Sequence, residues 1–175
     1  MEERFGFIHD KLEIKFLILF ILARLEDPIE LDTLTEMTLY CDSGISYFAF
    51  SECIAELLET EHLSQIDKQI IITDKGRRNG DAMESSIPHS VRKRAEEKTT
   101  PLARAQRRKA MIKATHTPHE GGFTVQLALS DGLSEILKME LYAVTESQAA
   151  TMTEGFTKHA EQIYGKIIAL LVDKT

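Results

Sequence analysis

One short segment of this sequence places metal-binding side chains close together. His116 and His119 are separated by two residues, and Glu120 follows directly. Imidazole and carboxylate groups are ligands that Zn²⁺ accepts in proteins, so these three side chains are candidates for a metal site. Pro118 and the Gly121-Gly122 pair predict a flexible hairpin tip, however, and the sequence offers no further ligand beside them. We therefore expect a solvated loop, no bound metal and no cofactor, with a metal site as the alternative.

Motifs of the common catalytic classes are missing from the sequence. It contains no Gly-x-Ser-x-Gly, no phosphate-binding loop and no Cys/His pair in a recognisable setting, so we expect the protein not to be an enzyme. Its two cysteines, Cys41 and Cys53, lack the spacing of a metal or redox motif. We expect both to be reduced thiols of a cytoplasmic protein, with redox sensing by Cys41 as the alternative.

Basic residues that could contact nucleic-acid phosphates are concentrated in the middle of the chain. Residues 1–80 hold 8 Lys and Arg against 16 Asp and Glu, residues 81–113 hold 9 against 4, and residues 114–175 hold 4 against 8. Between Arg24 and Lys68 there is no Lys or Arg at all. Because cations supply most of the non-specific affinity for DNA, a DNA-binding surface here would have to draw on the middle segment.

The elements that position these residues begin with a core helix. Residues 10–13 have the form of a capping box, and the apolar run from Phe16 to Ala23 predicts a helix that is buried on nearly all sides. A short strand at Pro28–Leu31 precedes a short helix, for which Asp32 is the expected N-cap. Residues 40–44 are typical of a turn.

A third helix is expected over Ile45–Glu61. Two short strands around Asp67-Lys68 then form a hairpin, and Thr73 or Asp74 caps a helix over about 74–84. The predicted order is helix, strand, helix, turn, helix, hairpin.

This order, with Glu61-His62-Leu63 and the run from Ile70 to Arg77, resembles winged helix-turn-helix regulators of the MarR and PadR type. The wing of such regulators commonly closes on a Leu/Ile-Thr-x-x-Gly-Arg stretch. The whole chain, including Lys138–Leu141 and Ile163–Ile168, also resembles the bacterial family catalogued as domain of unknown function 4364. The resemblance implies a transcription regulator, but it does not imply a particular ligand or operator sequence.

Behind the wing, the polar segment predicts a second helix at 88–98 and then a connector that passes into a strand near residue 108. Pro88 and Pro101 suit helix starts, and Thr100 is a candidate N-cap for the second of them.

The last third of the chain changes to a period of two. Alternation over Phe123–Leu129 and over Leu137–Ala143 predicts two half-buried strands, joined by a two-residue turn at Asp131-Gly132. Residues 110–117 predict a third, weaker strand, so we expect a three-stranded antiparallel meander.

A long C-terminal helix is expected after the capping box at residues 145–148. Its apolar stripe is expected to cover one sheet face or to pair with its copy in a homodimer. The residues assigned to that dimer interface are Met152, Phe156, Ile163, Ile167 and Leu170.

The predicted fold class is therefore α+β. We expect a winged-helix domain over residues 1–85, a basic helical connector over 86–108, and a small sheet with a terminal helix over 109–175, for dimerisation or ligand sensing. The longest apolar run is eight residues, far short of the roughly 20 needed to span a bilayer. Because residues 1–4 are acidic where a secretory segment is basic, we expect a cytoplasmic protein without membrane association.

The expected function is that of a DNA-binding transcription regulator acting as a homodimer. The third helix would enter the major groove by its first turn, while the wing and the basic segment neutralise phosphates. The expected DNA contacts are Ser43, Ser46, Tyr47, Ala49, Lys68, Arg77, Arg78, Arg92, Lys93 and Arg94.

The acidic third helix keeps a second function open. It carries Glu52, Glu56 and Glu59 and no cation. The alternative is a winged-helix protein-interaction module that does not bind DNA, in which another protein docks on this helix. The aromatic residues near the start of the helix would supply an anchor: Tyr47, Phe48 and Phe50.

Overall fold

The computed structural model describes residues 7–8 and 10–172. The chain divides into two compact units, the first ending at Gln106 and the second beginning at Arg107. Within the described residues there are six α-helices and two three-stranded antiparallel sheets. The predicted α+β class is confirmed.

The first unit has the predicted order of helix, strand, helix, turn, helix, hairpin. The sheet order is β1-β3-β2, with both pairs antiparallel. A 3-10 turn at Glu84–Ser86 follows α4, and α5 then continues past the end of the unit. The elements are α1 (Lys11–Ala23), β1 (Ile29–Glu30), α2 (Leu31–Cys41), α3 (Tyr47–Glu59), β2 (Leu63–Ile66), β3 (Gln69–Ile72), α4 (Asp74–Ala82) and α5 (His89–Met111).

Helix α1 is the centre of this unit. The Asp10 carboxylate accepts a hydrogen bond from the Glu13 amide at 2.9 Å, which confirms the predicted N-cap. Ile14 and the whole run Leu17–Leu22 are buried, so the helix has almost no solvent face. It packs against α2, α3, α4 and β3. A helix with apolar residues on all sides is stable only in such surroundings.

Helix α4 approaches the rest of the unit through two glycines. A Cβ atom at Gly76 would overlap the backbone carbonyl of His62, and one at Gly80 would lie 3.2 Å from the Cβ of Leu19. Thr73 caps α4, since its hydroxyl accepts from the Gly76 amide at 3.1 Å. The close packing of α4 therefore requires glycine at position 76.

Three predicted boundaries in this unit are wrong. Helix α3 begins at Tyr47 after the Ser46 cap, and not at Ile45. Asp32 is not the N-cap of α2, which begins at Leu31 after Glu30 and has no side-chain cap. The Leu31 amide instead donates to the Lys68 carbonyl in the wing at 3.0 Å. Helix α3 ends at Glu59 rather than Glu61, because Glu61 adopts a left-handed φ of 58° that stops the helix.

Helix α5 also differs from the prediction, because it runs without a break from His89 to Met111. Thr100 and Pro101 lie inside it and do not begin a new helix. Inside a helix, proline removes one hydrogen bond and crowds the carbonyl four residues earlier, so packing must offset this cost. The buried stripe continues across it, and packing along that stripe holds the helix together: Val91, Ala95, Thr99, Ala103 and Gln106.

Gln106, at the end of that stripe, anchors the loop after α1. Its side-chain oxygen accepts from the amides of Glu26 at 3.0 Å and Asp27 at 3.3 Å. Its side-chain nitrogen donates to the Asp27 carbonyl at 3.2 Å. A residue predicted to lie in a connector therefore belongs to the core of the first unit.

The second unit is the predicted antiparallel meander with a terminal helix. Its strands are β4 (Ile112–His119), β5 (Gly122–Ser130) and β6 (Glu135–Ala143), in the order β4-β5-β6. Helix α6 (Glu146–Val172) packs on one sheet face, mainly over β4 and β5. The core between them consists of Ile112, Val125, Leu127, Leu129, Ala143, Ala149, Phe156 and Ala160.

The connections in this unit differ from the prediction. The two-residue turn at Asp131-Gly132 is a four-residue loop, in which the Asp131 carboxylate accepts from the amides of Leu133 and Ser134, both at 2.8 Å. The strand pairing shifts register at the adjoining Leu129 and Ser130. Strand β4 begins at Ile112, because α5 occupies the two preceding positions.

Replacing Gly76 with alanine should lower the free energy of unfolding by about 1–3 kcal/mol, because the new methyl group would overlap the His62 carbonyl. Asp81→Ala is the matched control, because Asp81 is exposed on the same helix and should change stability by less than about 0.5 kcal/mol. Urea unfolding followed by circular dichroism measures both. Equal stabilities would show that α4 can move away from His62 freely.

Candidate nucleic-acid interface

The turn between α2 and α3 is held by a buried carboxylate. Asp42 is only 1% exposed. Its two oxygens accept from the amide of Gly44 at 2.8 Å and from that of Ile8 at 2.6 Å. Ser46 then caps α3 by accepting from the Ala49 amide at 3.1 Å. The first turn of α3 therefore has a defined orientation.

Three of the four predicted contacts at the start of α3 face solvent. Ser43 and Ser46 are exposed, and the Tyr47 side chain is 67% exposed. Ala49 packs partly against the core, so little of its methyl group is accessible. Phe48, one of the predicted aromatic anchors, is 71% exposed. The accessible surface here is polar and aromatic, and it carries no charge.

The acidic residues of α3 have basic partners that the sequence did not reveal. Lys11 lies 2.7 Å from the Glu52 carboxylate, and Lys15 is paired with Glu56. These hydrogen bonds raise the pKa of Lys11 and lower the pKa of Glu56. Both lysines belong to α1, far away in sequence. Two of the three acids are therefore neutralised by ion pairs, and Glu59 lies one turn further on.

The wing presents one predicted cation at its tip. Lys68 is exposed and follows Asp67, whose φ of 55° closes the turn between β2 and β3. Gln65 supports the turn by donating to the Asp67 carbonyl at 2.8 Å. Ile66 beside it is 60% exposed. The wing tip therefore combines one positive charge with one apolar side chain.

The two neighbouring arginines behind the wing have different environments. The Arg77 guanidinium donates to the carbonyl of Ala23 at 2.6 Å and to that of Leu25 at 3.5 Å, at the end of α1. This is the position at which a cation satisfies the last carbonyls of a helix. Arg78 is exposed. Of this pair, only Arg78 projects into solvent.

Helix α5 brings two further cations beside the end of α2. The Lys98 ammonium lies 4.2 Å from the centre of the Tyr40 ring, a cation–π contact. Arg94 donates to the Ser90 carbonyl at 3.3 Å, and its charge acts on the nearby Cys41 thiol. Because α2 ends at Cys41, these cations lie next to the α2–α3 turn. Lys98 was not among the predicted contacts, although it follows Arg94 by one helical turn.

The other flank of α5 belongs to an ion-pair network. The Glu84 carboxylate lies 3.6 Å from the guanidinium of Arg92 and 3.3 Å from that of Arg24. The Arg24 guanidinium also lies 3.7 Å from the Glu96 carboxylate. The charge of Arg92 is therefore shared with a carboxylate. Lys93 is exposed.

The predicted metal ligands do not converge. Strand β4 continues through His119, so His119 lies in the strand and not in the expected flexible tip, while His116 lies in the strand as predicted. Residues three apart on a strand face opposite sides of the sheet. The His116 ring contacts Phe123, whereas the His119 ring contacts Tyr142. Within residues 7–8 and 10–172, no cluster of three or more His, Cys, Asp or Glu side chains could hold a metal ion.

Both cysteines are buried free thiols. Burial raises the pKa of Cys41 to about 12, and its sulfur donates to the Met37 carbonyl at 3.0 Å. Burial also raises the pKa of Cys53. Because the thiolate is the reactive form, neither environment activates a cysteine for redox chemistry.

Comparison with known proteins identifies a family. Residues 14–171 match the family described as domain of unknown function (DUF4364). The chain belongs to the DUF4364 family. The match covers nearly all of both units, which agrees with the whole-chain resemblance noted in the sequence. No curated protein and no solved structure matches this DUF4364 chain. In the part of the chain that the structure describes, no helix has the length and apolar character needed to cross a membrane.

Arg77→Ala in this DUF4364 member should lower the free energy of unfolding by about 1–3 kcal/mol, because the carbonyls at the end of α1 lose a charged donor. Arg78→Ala removes the same charge from an exposed position and should change stability by less than about 0.5 kcal/mol. Chemical unfolding of the two variants measures the contrast. Equal effects would mean that the Arg77 contacts contribute nothing to stability.

Proposed function

We propose that this protein is a DNA-binding transcription regulator that reads DNA with α3 and the wing. The observation that carries the proposal is the pairing of Glu52 and Glu56 with lysines of α1. These ion pairs reduce the repulsion that an acidic α3 would exert on phosphates. The element order, which resembles that of MarR and PadR regulators, also supports this function.

The exposed polar groups at the start of α3 suit contacts with DNA. The Ser46 hydroxyl accepts from the Ala49 amide and keeps its own proton to donate to a phosphate oxygen. Tyr47 presents a ring and a hydroxyl that can reach a base edge. Ser43 in the preceding turn adds a further hydroxyl. Ala49 and Arg77 are less suited than the sequence suggested, because their side chains are engaged within the unit.

Phosphate neutralisation would come from cations around this surface. Lys68 and Arg78 are exposed at the wing and behind it, and Lys93 is exposed on α5. Arg94 and Lys98 lie beside the end of α2, immediately before the turn that leads into α3. A helix-turn-helix protein contacts the backbone on both sides of the groove that its recognition helix enters. Of these cations, Arg94 and Lys98 have contacts that place them beside the turn before α3, which suits that geometry.

The double replacement of Arg94 and Lys98 with alanine should weaken binding to sheared genomic DNA and lower the salt slope of log K by about 2, near 0.9 per lost phosphate contact. Arg104→Ala with Lys109→Ala removes equal charge from exposed positions elsewhere on α5 and serves as control. Mobility-shift titrations at several salt concentrations measure both slopes. Equal slopes for the two double variants would exclude a specific role for Arg94 and Lys98.

Tyr47→Ala should change sequence preference more than salt dependence, because the side chain is neutral and exposed at the start of α3. Selection of binding sites from a random DNA pool by wild type and variant measures this change. Identical selected sequences would remove Tyr47 from base recognition.

A protein-interaction module is the second candidate function, and exposed apolar side chains favour it. Tyr47, Phe48 and Ile66 are each at least 60% exposed on α3 and the wing, whereas Phe50 is buried at 1% exposure and cannot serve as an anchor. Aromatic side chains of this kind are typical anchors of protein interfaces. The DNA titration separates the two functions, because an interaction module would not shift DNA even at low salt.

Self-association is proposed to use the end of α6. Phe156 is 1% exposed because it packs on the chain's own sheet, and Met152 and Ile163 are partly covered in the same way. Ile167 is half-buried. Leu170 is 78% exposed, and the neighbouring apolar residues Leu171 and Val172 are 76% and 70% exposed. A two-fold dimer through this end would bury these side chains and double the DNA-binding surface.

Leu170→Asp combined with Leu171→Asp should convert the proposed dimer into a folded monomer, because charge would be forced into an apolar interface. Light scattering at tens of micromolar protein gives the mass, and circular dichroism checks the fold. Glu154→Ala, on the exposed face of the same helix, is the control. A monomeric wild-type protein at that concentration would contradict the proposed dimer.

A further inference from the structure

The second unit contains an apolar groove between α6 and strand β6. Its volume is about 570 Å³, within the range of roughly 300–1,000 Å³ found for small-molecule sites. Its lining residues come from helix α6, from the central strand β5 and from the edge strand β6. The apolar lining residues are Leu127, Met139, Leu141, Met152, Phe156 and Ile163.

The groove exists because α6 does not cover the whole sheet. The helix packs mainly on β4 and β5. Strand β6 is an edge strand, and Leu141 on its inner face is 41% exposed as a result. Gly155 lies on the helix wall, and a Cβ atom there would meet nothing within 4 Å. The absence of a side chain at Gly155 keeps this part of the groove open.

The helix wall is also irregular at the groove. His159 lines it and departs from helical geometry, with φ −125° and ψ 18°. Helix α6 contains no proline, so the most common cause of a helix kink does not apply here. It divides the helix into two segments at the point where the groove passes.

Polar groups lie along only one side of the groove. His159, Gln162 and Lys166 line it from α6, at spacings of three and four that put them on one helix face. Their side chains can donate hydrogen bonds, and Lys166 carries a positive charge. No Asp or Glu is among the lining residues. The groove therefore complements a ligand that is apolar over most of its length and anionic at one end.

We propose that this groove binds an amphipathic small molecule with one carboxylate, of the class of medium-chain carboxylic acids. The apolar body lies against Met139, Leu141 and Phe156, and the carboxylate is held by Lys166 with Gln162. Methionines at positions 139 and 152 can adjust to chains of different shape because their side chains are unbranched and flexible. All of the lining residues belong to the second unit, so this inference does not rest on the proposed DNA binding.

Decanoate and decanol are suitable probes, because both have ten carbon atoms in a linear chain. Decanoate ends in a carboxylate, whereas decanol ends in a neutral hydroxyl. Isothermal titration of the full-length protein, below the concentration at which decanoate forms micelles, should give saturable decanoate binding and weaker decanol binding. Lys166→Met should weaken decanoate binding by about tenfold, as expected for one lost charged hydrogen bond, and leave decanol binding unchanged. Equal loss of both probes would contradict the assigned orientation.

Two glycines of α6 provide a matched pair of variants. Gly155→Leu places a side chain into the groove, while Gly165→Leu adds the same side chain at a position that does not line it; neither new Cβ meets a neighbour within 4 Å. Both variants should keep the wild-type circular dichroism spectrum. Gly155→Leu should abolish decanoate binding, and Gly165→Leu should retain it.

Other outcomes overturn the proposal. Unchanged decanoate affinity in a folded Gly155→Leu protein would place the probe elsewhere. If wild type binds neither probe and Gly155→Leu converts a dimer into a monomer, the groove is an interface for a second copy of the chain. If wild type binds neither probe and the variant keeps its mass, the groove is an empty surface feature.

Discussion

The close packing of α4 against α1 and against His62 is the constraint on which the first unit depends. Gly76 allows α4 to pass against the His62 carbonyl, and Gly80 allows it to pass against Leu19. Arg77 then reaches the terminal carbonyls of α1 at Ala23 and Leu25. The Thr-x-x-Gly-Arg stretch that closes the wing thus has a structural explanation: Thr73 caps the helix, the glycine permits contact, and the arginine satisfies the buried helix end.

The same contact explains why α1 can be so apolar. The second half of α1 is buried, so its last carbonyls lie away from water, and unsatisfied buried carbonyls are costly. Arg77 supplies donors at this point, and Gln106 bonds to the loop that follows. Both residues had been predicted to lie in basic surface segments. In both cases the polar end group of the side chain bonds to backbone groups at the end of α1 or in the loop after it.

Local signals in the sequence were sufficient for most of the fold. The apolar run of α1, the caps at Asp10 and Thr73, and the alternation in β5 each depend on near neighbours, and the structure confirms them. The continuation of α5 through Pro101 could not be read in this way, because the helix depends on packing against distant residues. The four-residue loop at Asp131 was missed because a register shift of the strand changed its length.

The candidate site was less predictable because its electrostatics depend on pairs from different helices. From the order of charges along the sequence, α3 is expected to be an acidic helix without basic neighbours. In the fold, Lys11 and Lys15 of α1 pair with two of its acids. Solvent-exposed ion pairs of this kind add little to the stability of the fold, because water screens them. Their larger effect is on the surface potential, since a paired carboxylate repels a phosphate much less than a free one.

The length of α6 gives it several environments. Its 27 residues, interrupted by the distortion at His159, have a length along the helix of about 40 Å, whereas the nine-residue strands beneath it extend about 30 Å. A single sheet therefore cannot cover the whole apolar stripe. Phe156 is sealed against the strands, Ile163 borders the open groove, and Leu170 lies in solvent. Burial decreases along the helix while the apolar composition continues, so the last turns are the most exposed apolar part of α6.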